Sequence, residues 1–224
     1  MDEIPVALPG RCTDITTHKN KSDRVLLFVN GDLLNDFSIF VVKEAGLRKG
    51  DMITEDICNQ LQREDRRYRL KDQMYRWLSV RNHSSGEILV KSRQKGYTSE
   101  EIAGVTQEFL EKGLIDDALY ACQFAESKAG TKAWGPLKIR MALSQKGIKK
   151  QYIDRALEAL LPDGAIDDLL VDAAKSARKR LMRVEPGFKR KKKLVNFLVG
   201  RGFPGNQVLD KADYVLKQLE NEET

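Results

Sequence analysis

The sequence predicts a mainly α fold: tandem three-helix repeats, three units in an elongated curved array, preceded by a small N-terminal region containing a β-hairpin. Three observations predict it. A basic residue, a glycine and a large apolar residue recur in that order at Lys95-Gly96-Tyr97, Lys146-Gly147-Ile148 and Arg201-Gly202-Phe203, with the glycines 51 and 55 residues apart. Apolar positions keep the same frame: Ile88, Ile139 and Leu194 precede those glycines, and Ile102, Ile153 and Val208 follow them. A second signature, Gly113-Leu114-Ile115-Asp116-Asp117, returns 51 residues later as Gly164-Ala165-Ile166-Asp167-Asp168.

Taken in order, residues 1–22 are polar, broken by Pro5, Pro9 and Gly10, and without periodicity, which predicts a flexible tail. Residues 23–66 form a small α+β region. Val25-Leu26-Leu27-Phe28-Val29 is a strand pattern that runs into Asn30-Gly31, a two-residue hairpin signal, with Leu33-Leu34 on the return. A short helix is expected over 38–45 with a stop at Gly46, then a short strand at Met52-Ile53. Thr54 caps a long helix with Ile57, Leu61, Tyr68, Tyr75 and Leu78 on one side, and that helix crosses residue 66 into the first unit.

The units are read as 67–113, 114–163 and 164–224. Ser84-Ser85-Gly86-Glu87 is a capping box, in which the serine oxygen takes an amide of the first turn and the glutamate returns to the cap amide. Gly96 suits the left-handed residue that closes the helix so started. The next helix carries Ile102, Val105, Phe109 and Leu110 on one face and stops at Gly113, and Asp116 caps its successor. In the second unit Gly135-Pro136 replaces the serine box, with Trp134 stapled into the core. The third unit carries four extra residues around Glu185-Pro186-Gly187.

Composition narrows the function. Cys12, Cys58 and Cys122 lack the close spacings of zinc or redox sites, and only His18 and His83 supply imidazoles, so no metal site, cofactor or Cys-His nucleophile is expected. Surface histidines and reduced cysteines are the simpler reading. Asp116-Asp117 and Asp167-Asp168 read as helix caps, leaving no catalytic set, and an enzyme is not expected. No apolar run reaches the roughly 18 residues of a membrane span, and the start lacks a basic, then apolar leader, so a cytoplasmic location is expected.

The formal net charge is +6, but residues 1–66 hold 9 Lys/Arg against 12 Asp/Glu and residues 67–224 hold 30 against 21, so the positive field belongs to the repeats. Between Lys175 and Lys193 ten basic residues face one Glu. Five adjacent cations on one helix repel one another and gain little without a polyanion or an acidic partner. The candidate contact residues are Lys138, Arg140, Lys146, Lys149 and Lys150 of the second unit, and Lys179, Arg180, Arg183, Lys189, Arg190, Lys191, Lys192, Lys193 and Arg201 of the third. Three-helix units with a basic helix leave a second reading open, a stand-alone DNA-binding module with helix-turn-helix-like units, although no unit groups Arg, Asn or Gln at the start of a recognition helix.

The ordered series Arg81-x-x-Ser84-x-x-Glu87-Ile88, Lys95-Gly96, Leu114-Ile115-Asp116-Asp117-x-x-Tyr120-Ala121, Gly135-x-x-Lys138-Ile139-x-x-x-Leu143-x-x-Lys146-Gly147-Ile148 and Arg201-Gly202-Phe203 resembles the RecX family of bacterial recombination regulators, over residues 76–210. Lys138 and Ile88 stand where that family often has arginine and leucine. The resemblance implies a non-enzymatic, monomeric modulator. It would lie in the groove of the RecA recombinase filament on single-stranded DNA, with sequence-tolerant phosphate contacts, and hinder ATP turnover and strand exchange.

Overall fold

The computed structural model describes residues 6–162 and 165–221. The chain separates into two compact units, one formed by residues up to Val80 with Ser92–Val105, the other by Arg81–Lys91 and the chain from Thr106 onward.

The first unit is built on a four-stranded antiparallel sheet, β1 (Gly10–Thr17), β2 (Arg24–Val29), β3 (Asp32–Ser38) and β4 (Met52–Ile53), in the order β3-β2-β1-β4. Asn30 and Gly31 both take positive φ (53° and 95°), the conformation that a tight two-residue hairpin demands. Ser38 caps α1 (Ile39–Glu44), accepting a hydrogen bond from the Phe40 amide, and Gly46 follows at φ 66°. Residues 10–17, expected in a flexible tail, are instead a central strand. Only Gly10 and Cys12 of β1 are buried, so its polar composition conceals it; pairing with β2 and β4 is what orders it. The first five residues of the expected tail lie outside the described residues.

Thr54 Oγ1 accepts from the Ile57 amide at the start of α2 (Glu55–Val80), which runs unbroken past residue 66. Of the expected stripe Leu61 is buried and Ile57 and Tyr68 pack partly against the same core, but Tyr75 is exposed, and Cys58, Asp65, Leu70 and Met74 are buried outside it. The reason is polar. Asp65 turns into the core to meet Arg24 of β2 (3.0 and 3.1 Å) and the Ser38 amide (2.7 Å), so the stripe follows the ion pair and not the apolar residues alone. Arg24 also donates to Asp36, whose carboxyl lies below its usual range because those bonds outweigh burial.

The helices that follow are α3 (Ser85–Gln94), α4 (Ser99–Glu111), α5 (Asp117–Lys132), α6 (Pro136–Gln145), α7 (Lys150–Leu160), α8 (Ala165–Lys175), α9 (Arg178–Met182), α10 (Phe188–Gly200) and α11 (Gly205–Asn221). Gly96, Gly113, Gly147 and Gly202 all have positive φ and close helices as expected. Within the second unit, α5, α6 and α7 enclose one core around Tyr120, Ile139, Leu143, Ile148 and Ile153. A second core, around Leu170, Leu181, Leu194, Leu198, Phe203 and Val215, joins α8 to α11. Ile148 and Phe203, the apolar residues after the glycine stops, are buried in these cores, each stabilising its turn by about 1.5–3 kcal/mol.

Several expectations are corrected. Leu110 is 36% exposed, unlike Ile102, Val105 and Phe109 on the same helix. The third unit's first helix is broken into α8 and α9 by Ser176-Ala177, and Gly187 (φ 110°) precedes α10. Asp167 and Asp168 lie inside the first turn of α8 instead of capping it; Asp167 accepts from Lys211 Nζ at 2.6 Å. Gly164, the stop expected before them, lies outside the described residues. His83 is buried, not on the surface.

Candidate nucleic-acid interface

The basic side chains divide according to what the fold does with them. Arg190 is buried, donating to the Val184 carbonyl and to Glu220 (2.8 Å each), so one member of the expected cationic run belongs to the core. Lys191 pairs with Asp213 at 2.7 Å, and Lys193 turns toward the Arg180 carbonyl. Arg140 and Lys150 share Asp154. Periodicity explains the division: in a helix of five consecutive cations, the one on the core side must find an acid or a carbonyl. Lys149, Lys179, Arg183, Lys189 and Lys192 are exposed and form no ion pair among the described residues.

Arg180 and Arg201 converge on one ring. Their guanidinium carbons lie 5.3 and 5.0 Å from the centroid of Phe197. Phe197, with Lys175, Lys179, Arg180 and Arg201, lines a cleft of 440 Å³. Sequence reasoning missed Phe197; its one signal was an aromatic a helical turn before Arg201. Cations held on an aromatic face in a basic groove are an arrangement that tracks single-stranded phosphate backbones.

The glycines after the basic residues do more than stop helices. At a first joint, the start of α3 presses on the α6–α7 turn: a Cβ on Gly86 would lie 2.1 Å from the Lys146 carbonyl oxygen, and Ser84 Oγ donates to that oxygen at 2.9 Å. Glu87 lies between Arg81 (3.0 Å) and Lys146 (2.5 Å). Burial would raise the Glu87 carboxyl, but hydrogen bonds from Arg81 and Lys146 hold it down at about 2. Lys146 is raised in turn: burial opposes its charge, and the bonds to Glu87 and Tyr120 outweigh it. Asp117, expected only as a cap, is buried and accepts from the Ser85 amide (2.8 Å) and hydroxyl (2.6 Å), while Asp116 caps α5 through the Ala118 and Leu119 amides.

A second joint lies at the corresponding place, between the start of α6 and the α10–α11 turn, and is held by backbone bonds where the first uses the Ser84 hydroxyl. The Gly135 amide donates to the Arg201 carbonyl (2.8 Å) and the Leu137 amide to Gly202 (3.0 Å). A Cβ on Gly135 would lie 2.5 Å from Gly202 backbone atoms. Trp134 is half-buried, packed edge-on to Phe124, with Lys138 Nζ 4.9 Å from its ring centre. Burial lowers the affinity of His83 for a proton, and its Nδ1 lies at the Arg81 carbonyl with Lys91 Nζ 2.7 Å from its Nε2.

The fold is that of a mostly helical protein of repeated three-helix units with a small N-terminal antiparallel sheet. Comparison with known proteins makes this particular. A family model described as "RecX, second three-helix domain" matches residues 116–157. The chain is 34% identical over 145 residues to Regulatory protein RecX of Chlorobaculum tepidum, covering 65% of this chain and 87% of that protein. It is 27% identical over 213 residues to Regulatory protein RecX of Clostridium acetobutylicum, covering 94% and 96%. The chain belongs to the RecX family of regulatory proteins. A crystal structure of regulatory protein RecX has the same fold, with TM-score 0.72 at 23% identity over 91% of this chain and 98% of that one. RecX from Lactobacillus salivarius is similar at TM-score 0.59 and 22% identity, over 70% and 98%.

Proposed function

We propose that this protein is a non-enzymatic regulator that binds the RecA filament on single-stranded DNA and inhibits its ATPase and strand exchange. The observation that carries the reading is the basic cleft of Lys175, Lys179, Arg180, Phe197 and Arg201, flanked along α10 by Lys189 and Lys192. It offers guanidinium groups and an aromatic face without arranging side chains for base-edge readout, which suits sequence-tolerant contact with a single strand. Family membership supports the regulatory role. Three-helix units at 67–113, 114–163 and 164–224 would span neighbouring protomers and restrict the movements that ATP turnover needs. The protein would act as a monomer in the cytoplasm, where such filaments form.

The test is RecA ATPase on single-stranded DNA with substoichiometric protein added. Inhibition by the wild type, weakened when Arg180 and Lys192 are replaced by Glu, is the expected result. Absence of inhibition overturns the reading, and tight duplex binding without recombinase replaces it with the stand-alone DNA-binding module.

A further inference from the structure

The two joints of the helical unit correspond in sequence and differ in charge. In the frame of the repeat, Arg81, Glu87 and Lys146 of the first joint align with Lys132, Lys138 and Arg201 of the second. Both turns carry a left-handed glycine, Gly147 and Gly202 with φ of 76° and 92°, and a helix start lies close against each, at Gly86 and at Lys138. What changes is the central residue, an acid between two cations at the first joint and a third cation at the second.

At the first joint the cations are neutralised from within, because Glu87 accepts from both Arg81 and Lys146. At the second, Lys138 rests on the Trp134 ring and Arg201 donates to the Lys132 carbonyl (2.6 Å), and none of the three forms an ion pair among the described residues. The helix starts differ in the same sense. The start of α3 has Ser84 as cap and Glu87 in its first turn, whereas α6 starts at Gly135 with no side-chain cap and no acid in its first turn. The start of α6 thus lacks the carboxylate that α3 carries, and its Gly135 and Leu137 amides are taken by the Arg201 and Gly202 carbonyls, so what this joint offers an anion is its side-chain cations.

We propose that the second joint, at Lys138 and Arg201, is a phosphate site in which a backbone phosphate of single-stranded nucleic acid supplies the negative charge that the Glu87 carboxylate supplies at the first joint. This rests on the reading that the chain engages DNA. A phosphate carries acceptor oxygens enough for a guanidinium and an ammonium at once. Two aromatic rings hold these cations, Trp134 under Lys138 and Phe197 under Arg201, so an anion that draws on either cation is felt at its ring. The first joint cannot bind in this way, since its own carboxylate already holds the cations.

The test uses the full chain with Trp77→Phe, which leaves Trp134 as the one remaining indole of the two in the sequence. Its fluorescence is followed while an oligodeoxythymidylate of about 12 nucleotides is added, and in a separate arm inorganic phosphate, both at constant ionic strength. The oligonucleotide should change Trp134 emission. K138E restores the acid of the first joint. It should melt no lower than its parent, lose roughly tenfold or more in oligonucleotide affinity, and flatten the log-log salt slope by about 0.7 or more. If K138E does not fold, K138Q carries the test, with an affinity loss of roughly threefold or more and a slope flattened by about 0.7. Unchanged affinity and slope in a folded variant overturn the site. A Trp134 response to inorganic phosphate without one to the oligonucleotide overturns the nucleic-acid assignment. The readout needs no recombinase. Wild-type inhibition of RecA beside an unaffected K138E overturns the site alone, and an oligonucleotide response without RecA inhibition overturns the function alone.

Discussion

Replacing Glu87 by Gln removes the charge at the centre of the first joint while keeping its shape. The Glu87 carboxyl is held at about 2 against an ordinary 4.5. At 1.36 kcal/mol per unit, that difference is worth about 3 kcal/mol between the two protonation states. The Glu87 side chain is 16% exposed, but Arg81 is 50% exposed and Lys146 29%, so solvent screens part of the attraction and about 1.5 kcal/mol is the realistic share. The sign follows from the depressed carboxyl. Its stabilisation is fully present above the unfolded value of about 4.5 and is lost as pH falls through the folded value of about 2. Thermal unfolding followed by circular dichroism should place E87Q about 3–6 °C below the wild type at pH 7, for a chain of this size. The gap should close between pH 5 and 2. Glu101, held down chiefly by its hydrogen bond from Arg66, also titrates to about 2 but is common to both proteins and cancels in the difference. A gap of the same size at pH 7 and pH 2.5 would refute the electrostatic account and leave packing as the cause.

Gly135→Ala should destabilise by about 2 kcal/mol or more, because the added Cβ meets Gly202 backbone at 2.5 Å, whereas Gly104→Ala, with nothing within 4 Å in a helix, should stabilise by about 0.5–1 kcal/mol; urea titration separates the two. Asp65→Asn leaves the Arg24 guanidinium buried with half its partner, and should cost the first unit about 3–5 kcal/mol, read as a lower urea midpoint. Asp116→Asn should be near neutral, since Asn caps as well as Asp. Asp117→Asn turns a donor toward Ser85 and should cost about 1–3 kcal/mol by calorimetry.

Much of this protein was legible before any coordinates. Left-handed glycines, cap residues and the Asn-Gly hairpin act within a few residues of chain, so Gly96, Gly147, Gly202, Ser84 and Asp116 could be assigned roles from their neighbours alone. The repeat was legible for a related reason: its packing demands recur at the same spacing, and so do the residues that meet them. The strand at 10–17 was not, because its order comes from pairing on both sides with β2 and β4, and its polar composition carries little trace of that.

The cations show the division most clearly. The sequence by itself determined that positive charge collects in the repeats and that Glu87, Lys138 and Lys193 occupy equivalent positions. Only the tertiary structure decided which charges are already matched: Arg190 by Glu220, Lys191 by Asp213, Lys146 by Glu87. It likewise assigned Arg180 and Arg201 to one aromatic ring. Charge is a property of a residue, whereas neutralisation depends on a distance of a few ångströms between residues tens of positions apart, and that distance exists only once the chain has folded.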